Sequence, residues 1–416
     1  MVSGKGPLRD LDAIRLPEWG RVVVAEGVVP WRVEDDAGDA VGPVDRYLLD
    51  LVARGKSPGT VRSYAFVLLR WWRFLRAAGV QWDRATSAET RDFVLWFQRA
   101  AKPGAERRTV SARTAGTVNP VTRKQYLDDR YKPATVRHSN AVLRSFYAFW
   151  QEQGLGPVVN PVPQDRVRGR RSNAHHNPLE PFKAEGRLRY NPPLPRRRPR
   201  AMPDVLWDTL FAAMPSNRDR AILALDISTG ARAAELLGIL GADIDWGDQL
   251  IRVRRKGTGI QQWLPASPEA FVWLRLYVAE TGGPGGSESV WRTLRQRRGR
   301  EGGELRWQPL TYDAWRAVLR RANDKLGTNW SIHDLRHTCA LRMVRDKNLS
   351  LRDVQVIMGH AHLTTTQIYL EEDDHEVIAR VQEHLAQRKE RAAAAPRPVA
   401  AGYDAADLAV LFGGGQ

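Results

Sequence analysis

Tyr369 closes the stretch IMGHAHLTTTQIY, residues 357–369, nine residues after His360. A phenol has a pKa near 10, so it becomes a nucleophile only beside a base or strong positive charge. Taken singly, it reads as a packing aromatic. Upstream, SIHDLRHTCALRMV supplies His333 and Arg336. Ser331 and Asp334 read as an N-cap and its acidic N3 partner, which puts His333 and Arg336 on one face of a first helical turn. Unpaired backbone N–H groups and the positive end of the helix dipole make such a turn an anion site, and a guanidinium fork matches two phosphate oxygens. As a lone pair, the two read sooner as a surface ion pair with an interior histidine.

Two further cations belong to the set. Arg232 in TGARAAEL follows Gly230 at a helix end, and Lys256 stands at a hairpin tip in RRKGTG. Two arginines, a lysine, two histidines and a tyrosine, with no clustered carboxylates for magnesium, suit metal-free attack on a phosphodiester. Cations then stabilise charge on the non-bridging oxygens as the pentacoordinate transition state forms. The rival is a metal site: His333 and His337 are four apart on one helix face, and HAH adds His360 and His362. Zinc hydrolases of that spacing carry a glutamate after the first histidine. Here Asp334 holds the position, and Arg336 sets a fixed positive charge beside any cation. No metal or other cofactor is therefore expected, and His175 and His176 read as solvated.

These residues need elements to hold them. Ser350 with Asp353 starts a helix over 351–358 that Gly359 ends in the left-handed position, releasing His360. Thr364 with Gln367 reads as a capping box, so Tyr369 is expected in the second turn of a helix over 365–388. Helices are also expected at 203–214, 217–229, 268–280, 312–325 and 333–346, with strands alternating around the turns WGD and KGTG. Towards the N-terminus, helical patterns run through VDRYLLDLVARG, SPGTVRSYAFVLLRWWRFLRAAG, TSAETRDFVLWFQRA and KPATVRHSNAVLRSFYAFWQEQG. Thr86 and Glu89 make a capping box, Pro58 and Pro133 suit first turns, and Gly79 and Gly154 close helices. The polar stretch from about 102 to 130 is long for a loop and reads as functional or mobile.

The expected fold class is mainly α with a small antiparallel β-sheet. Its parts are an N-terminal extension over 1–42, a helical domain over 43–156, a basic proline-rich linker over 157–200, a mixed α/β domain over 201–388 and a tail over 389–416. Length agrees, since 416 residues exceed one ordinary domain. Lysine and arginine number 64 against 47 acidic residues, a net charge of +17 that points to a polyanionic partner. The linker alone holds nine prolines, eleven lysines and arginines and three acidic residues. Proline at that density keeps a chain extended, and its arginines reward phosphates without regard to base sequence. Arg168, Arg170, Arg171, Arg196, Arg197 and Arg198 there, with Arg137 and Arg144 on the helical domain, are the expected DNA-backbone contacts. No apolar run approaches the length of a spanning helix, no signal-peptide core is present, and the single cysteine, Cys339, excludes an internal disulfide. A cytoplasmic, nucleoid-associated protein with no membrane partner is expected.

TGARAAELLGI, HDLRHTCA and IMGHAHLTTTQIYL, in this order, resemble the three boxes of the tyrosine recombinase (phage integrase) family, a likeness that extends in domain order over roughly residues 43–388. The resemblance implies a helical core-binding domain followed by a catalytic domain. It implies that Arg232 and Arg336 clamp the scissile phosphate, that Lys256 protonates the departing 5′ oxygen, and that His333 assists proton transfer at the tyrosine. His360 would hydrogen-bond the phosphate, and Tyr369 would form a 3′-phosphotyrosyl link that conserves bond energy without ATP. It also implies a homotetramer on specific double-stranded DNA sites, an accessory bending or directionality factor, and a C-terminal segment, here ADLAVLF, that docks on a neighbouring subunit. Departures are His362 where a small residue is common, Met358 for a leucine, and Gln261 and Gln262 where a basic residue often follows the lysine. Arg254 or Arg255 therefore compete with Lys256 for its role. The long linker leans toward a mobile-element integrase or transposase. A type IB topoisomerase and a non-catalytic DNA-binding regulator on the same fold are the alternatives.

Overall fold

The computed structural model describes residues 9–103, 113–165, 187–195, 199–296, 298, 305–370, 378 and 381–387. By its internal contacts the chain divides into two units. One comprises residues 1–197, 256–259 and 315–331, the other 198–255, 260–314 and 332–416.

Proline and glycine punctuate the helices of the first unit. α1 (Gly42–Ala53), α2 (Pro58–Ala78), α3 (Ser87–Arg99) and α4 (Pro133–Glu152) follow the four apolar patterns of the sequence. Pro58 and Pro133 sit in first turns, where a missing N–H costs nothing. Thr86 and Glu89 form the capping box of α3, and Gly79 ends α2 in the left-handed region. The helices close on an aromatic core of Trp71, Phe74, Phe93, Phe97, Phe146 and Tyr147, in which Trp71 Nε1 donates to Tyr147 Oη at 2.8 Å. Aromatic rings of this size contribute much of a small domain's burial energy, and the phenol that accepts from the indole donates in turn to Trp82 O at 2.9 Å.

Two segments read as loose are held in this unit. Within the N-terminal extension, β1 (Arg21–Val24) pairs antiparallel with β2 (Trp31–Glu34), and Trp19 and Val33 enter the helical core. Strands of four residues carry too little alternation to announce themselves in sequence. The described part of the polar stretch is ordered by side-chain hydrogen bonds instead of apolar burial. Asn119 Oδ1 accepts from the N–H groups of Val121 and Thr122, and Asn119 Nδ2 donates to Tyr126 Oη and to Gly327 O. Lys124 Nζ reaches Asn329 O and Ser331 Oγ.

The linker is also anchored on both sides of residues 166–186. Val162 is buried in the helical core, and Leu188 and Tyr190 pack against it. Arg144, expected on DNA, instead holds this anchor with its guanidinium, Nη1 donating to Val162 O at 2.7 Å and Nη2 to Gln164 Oε1 at 2.8 Å. Arg137 is partly exposed, whereas Arg168, Arg170, Arg171, Arg196, Arg197 and Arg198 lie outside the described residues.

In the second unit, α5 (Asp204–Ala212), α6 (Asn217–Thr229) and α7 (Ala233–Leu237) precede a sheet of β3 (Ile244–Asp245), β4 (Leu250–Arg254) and β5 (Gln261–Pro265), antiparallel in that order. The period of two in β4 buries Ile251 and Val253 and turns Arg252 and Arg254 away. There follow α8 (Pro268–Thr281), α9 (Tyr312–Leu326, most of it counted with the first unit), α10 (Ile332–Arg345), α11 (Leu351–Met358) and α12 (Leu363–Gln367). α6 is buried on nearly every side and packs against α8 and α10. The end of the chain departs from expectation. α12 begins at Leu363 with His362 at its N-cap and no side-chain cap, so Tyr369 lies in the turn after the helix. Residues 381–387 are helical, while 371–377 and ADLAVLF lie outside the described residues. Among the described residues no helix is long and apolar enough to cross a membrane.

Candidate active site

Arg336 is the centre of a cluster built from four chain segments of the second unit. It stands in the second turn of α10 and is only 6% exposed. Nη1 donates to Gly230 O, the residue that ends α6, and Nη2 donates to Met358 O, the last residue of α11, at 2.6 Å. Both carbonyls belong to helix C-termini, where the dipole favours a cation. The hydrogen bonds of the guanidinium thus go to partial charges, and Glu235 acts on it only through space. Burial, with Arg232 and Arg255 nearby, lowers the guanidinium pKa to about 10, which leaves it charged at neutral pH.

Glu235 organises the other two arginines. Buried on α7, its carboxylate accepts from Arg232 N–H at 3.1 Å and from Arg232 Nη1 at 2.8 Å, and it pairs with Arg255 Nη1 at 3.0 Å. Arg255, immediately after β4, also donates to Gln262 Oε1 at 2.8 Å and to Ile357 O. It therefore ties the sheet to the end of α11. Three guanidinium groups face one carboxylate, a surplus of positive charge in a largely dry place that an anion would relieve.

Two glycines allow these approaches. At Gly230, φ is +61° and an added Cβ would lie 2.7 Å from Met358 Sδ and 3.0 Å from Cys339 Sγ. At Gly359, φ is again +61° and a Cβ would meet Arg255 Nε at 2.9 Å. No side chain fits either position without displacing a neighbour that the cluster uses.

His360 leaves α11 through that glycine and meets Arg336: Nε2 stands 3.1 Å from Arg336 Nη2, and Nδ1 stands 2.9 Å from the buried Thr366 Oγ1. Since a guanidinium only donates, Nε2 accepts and Nδ1 carries the proton towards Thr366. Burial first, then the surrounding arginines, push its pKa down to about 4, so it is neutral. Tyr369 packs among Ala340, Leu341, Val354 and Met358, is 6% exposed, and stacks on His360 with ring centroids 6.3 Å apart and planes 8° from parallel. Burial raises its phenol pKa, and Arg336 opposes the shift. Its hydroxyl is 2.8 Å from His337 Nδ1.

Arg232, Arg336, His360 and Tyr369 are accordingly brought into one cluster. His333 is exposed, one turn before His337 with ring centroids 5.9 Å apart. Lys256 is exposed at the β4–β5 tip and is counted with the first unit. Four residues of the cluster escaped the sequence reading. Glu235 is three residues after Arg232 and is visible as a helix-start acid. Thr366 was not singled out, His337 was seen only as a metal ligand, and Arg255 only as a rival for Lys256. Among the described residues no three His, Cys, Asp or Glu side chains are grouped to hold a metal ion.

Comparisons with known proteins give the same region a context. Residues 206–376 match the model of the phage integrase family, and residues 44–119 match that of the phage integrase N-terminal SAM-like domain. A tyrosine recombinase XerC of Chromobacterium violaceum is 34% identical over 157 residues, which cover 36% of this chain and 47% of that protein. A tyrosine recombinase XerA of Saccharolobus solfataricus is 29% identical over 181 residues, covering 43% and 55%. The chain thus spans about half the length of these curated relatives. Among solved structures, the Tn1549 transposon integrase in complex with circular intermediate DNA superposes with a TM-score of 0.52 at 15% identity, over 82% of this chain and 98% of the other. A lambda integrase dimer bound to a core site gives 0.50 at 16% identity, over 80% and 95%. At these identities the likeness is one of fold: a helical domain followed by a mixed domain with a small antiparallel sheet.

Proposed function

The chain belongs to the phage integrase family, and from that premise we propose that it is a site-specific DNA recombinase of the integrase or transposase type that cuts and rejoins strands through a covalent link to Tyr369. The observation that carries this reading is the surplus of guanidinium charge beside a tyrosine, with Arg336 held on two helix ends and, among the described residues, Glu235 paired with the other two arginines. A phosphodiester supplies the missing negative charge, and its charge grows in the pentacoordinate transition state, where preorganised cations act most strongly. A DNA-binding regulator needs a basic surface but has no use for a phenol sealed against such a cluster.

In this reading Arg232, Arg336 and His360 bind the non-bridging oxygens. His360 gives up its contact with Arg336 as both turn to phosphate, its ring proton shifting to Nε2 to face the phosphate oxygen while Nδ1 accepts from Thr366 Oγ1. Tyr369 Oη attacks phosphorus, Lys256 protonates the leaving 5′ oxygen, and His333 assists proton movement from its exposed position. The phosphotyrosyl bond keeps the energy of the broken one, so a 5′ hydroxyl from a second strand reverses the step without ATP or a metal. The basic helical unit and linker grip the duplex, and the protein works as a tetramer on paired sites, with an accessory factor setting direction. DNA in the Tn1549 and lambda integrase complexes supports a duplex substrate.

The test is a nicked duplex made from the DNA that flanks the gene and contains its attachment-site repeat, incubated with chelator and analysed on a denaturing gel. Wild type should form a protein–DNA adduct and Tyr369→Phe none. An adduct formed by Tyr369→Phe, or one that needs a divalent metal, would refute the mechanism.

A further inference from the structure

Resting on the recombinase reading above, we propose that His337 is the general base that takes the proton of Tyr369 as the phenol attacks. Its Nδ1 is 2.8 Å from Tyr369 Oη, inside the reach that proton transfer requires. The rings are tilted by 54° with centroids 5.7 Å apart, an edge approach that aims an in-plane nitrogen at the hydroxyl. Neighbours in a helix point about 100° apart, so α10 sends Arg336 to Gly230 and Met358 while His337 turns to the tyrosine. One helical turn thereby presents the phosphate clamp and the proton acceptor to the same reaction.

Among the described residues, the other groups around the phenol are occupied or unsuited. His360 lies parallel to the Tyr369 ring, and its ring nitrogens are engaged by Arg336 and Thr366. Burial, and then the surrounding arginines, depress its pKa to about 4 and make it a reluctant proton acceptor. Glu235 is committed to Arg232 and Arg255, and burial pushes the Cys339 thiol up to about 12, which keeps it protonated. His333 is exposed and stands one turn away, on the far side of His337 in sequence. Burial raises the phenol's own pKa, so an acceptor in direct contact matters more here than at a wet surface.

The step balances without a further reactant. With the ring proton of neutral His337 on Nε2, the Oη–H bond breaks and its proton joins Nδ1. The Oη–phosphorus bond forms, the phosphorus–O5′ bond breaks, and the 5′ oxygen leaves with the proton supplied by Lys256. In rejoining, an incoming 5′ hydroxyl returns its proton to Lys256 as its oxygen attacks phosphorus, the phosphorus–Oη bond breaks, and the imidazolium returns its proton to Oη.

His337→Gln tests this, because an amide oxygen still accepts the phenol's hydrogen bond but takes no proton. On the same nicked duplex, single-turnover adduct formation should slow by about 10²- to 10⁴-fold, with DNA affinity in a gel shift unchanged. Replacing the bridging 5′ oxygen by sulfur, a leaving group that needs no protonation, should leave the His337→Gln defect in place while relieving that of Lys256→Ala. Imidazole should restore roughly tenfold or more of the rate to His337→Ala, and this second variant serves where the first does not fold. A His337→Gln rate within about threefold of wild type, a defect cured by sulfur, or a folded His337→Ala that imidazole leaves unchanged overturns the assignment. In those cases the recombinase reading still stands if Tyr369→Phe makes no adduct. An adduct from Tyr369→Phe instead overturns both.

Discussion

Arg336 shows how one residue serves both fold and site. Its guanidinium bonds the ends of two helices and the ring of His360, so it holds α6, α11 and the strand-like exit after Gly359 in one arrangement. A lysine in its place carries the charge but lacks the planar fork. Arg336→Lys should therefore leave at least one of the two buried carbonyls without a partner and destabilise the protein by roughly 2 kcal/mol in urea unfolding. It should also slow adduct formation far more than it weakens DNA binding, because the lost contact grows in the transition state. Equal losses in binding and in rate would mean that Arg336 contributes uniform binding only. Sequence alone exposed Arg336 as an anion-binding residue near the start of a helix. That its charge rests on carbonyls from residues 106 and 22 positions away was not legible.

Helix ends do most of the positioning at the scale of elements. α6 and α11 both finish on a left-handed glycine, and each glycine lets a side chain from another segment lie against the backbone. Gly79 differs: it has the same backbone conformation, with open space where a Cβ would go. Gly79→Ala should cost about 1 kcal/mol, the ordinary penalty of a left-handed alanine. Gly359→Ala should cost roughly 1 kcal/mol more, because Arg255 must move, and it alone should impair adduct formation. Equal unfolding free energies for the two would show that Arg255 gives way freely. Capping signals made α3, α6 and α11 legible nearly to the residue. They misled at α12, where Thr364 and Gln367 suggested a start but the helix opens at Leu363 and ends before Tyr369. The N-cap is His362, whose side chain makes no cap hydrogen bond, so nothing in the local sequence marks this start.

At the scale of the molecule, charge is distributed beyond the cluster. On the proposed reading, the net charge of +17 and the run of Arg196, Arg197 and Arg198 would provide a sequence-independent hold on a polyanion. Neutralising those three arginines should weaken binding to every DNA sequence alike and lower the slope of affinity against salt by about two to three phosphate contacts. Loss confined to one base position would contradict this. Composition also suggested an extended linker, yet its described flanks are anchored, by Val162 to one side of residues 166–186 and by Leu188 and Tyr190 to the other. Composition measures how poorly a segment builds its own core. It does not register that a neighbouring core, here of tryptophans and phenylalanines, can accept a single apolar side chain from it.

By itself the sequence determined what is local or periodic: which stretches become helices, where glycine ends them, the excess of positive charge, and the ordered boxes that hold Arg232, His333, Arg336, His360 and Tyr369. Those features depend on neighbours within about one helical turn. Only the tertiary structure decided which partner each reactive group has. Glu235 is joined to Arg255 and His337 to Tyr369 across 20 and 32 residues, and Arg336 to a carbonyl across 106. The reason is physical: a hydrogen bond depends on where packed elements bring two atoms in space, and helix packing through buried apolar faces leaves no trace of that distance in the spacing of the residues themselves.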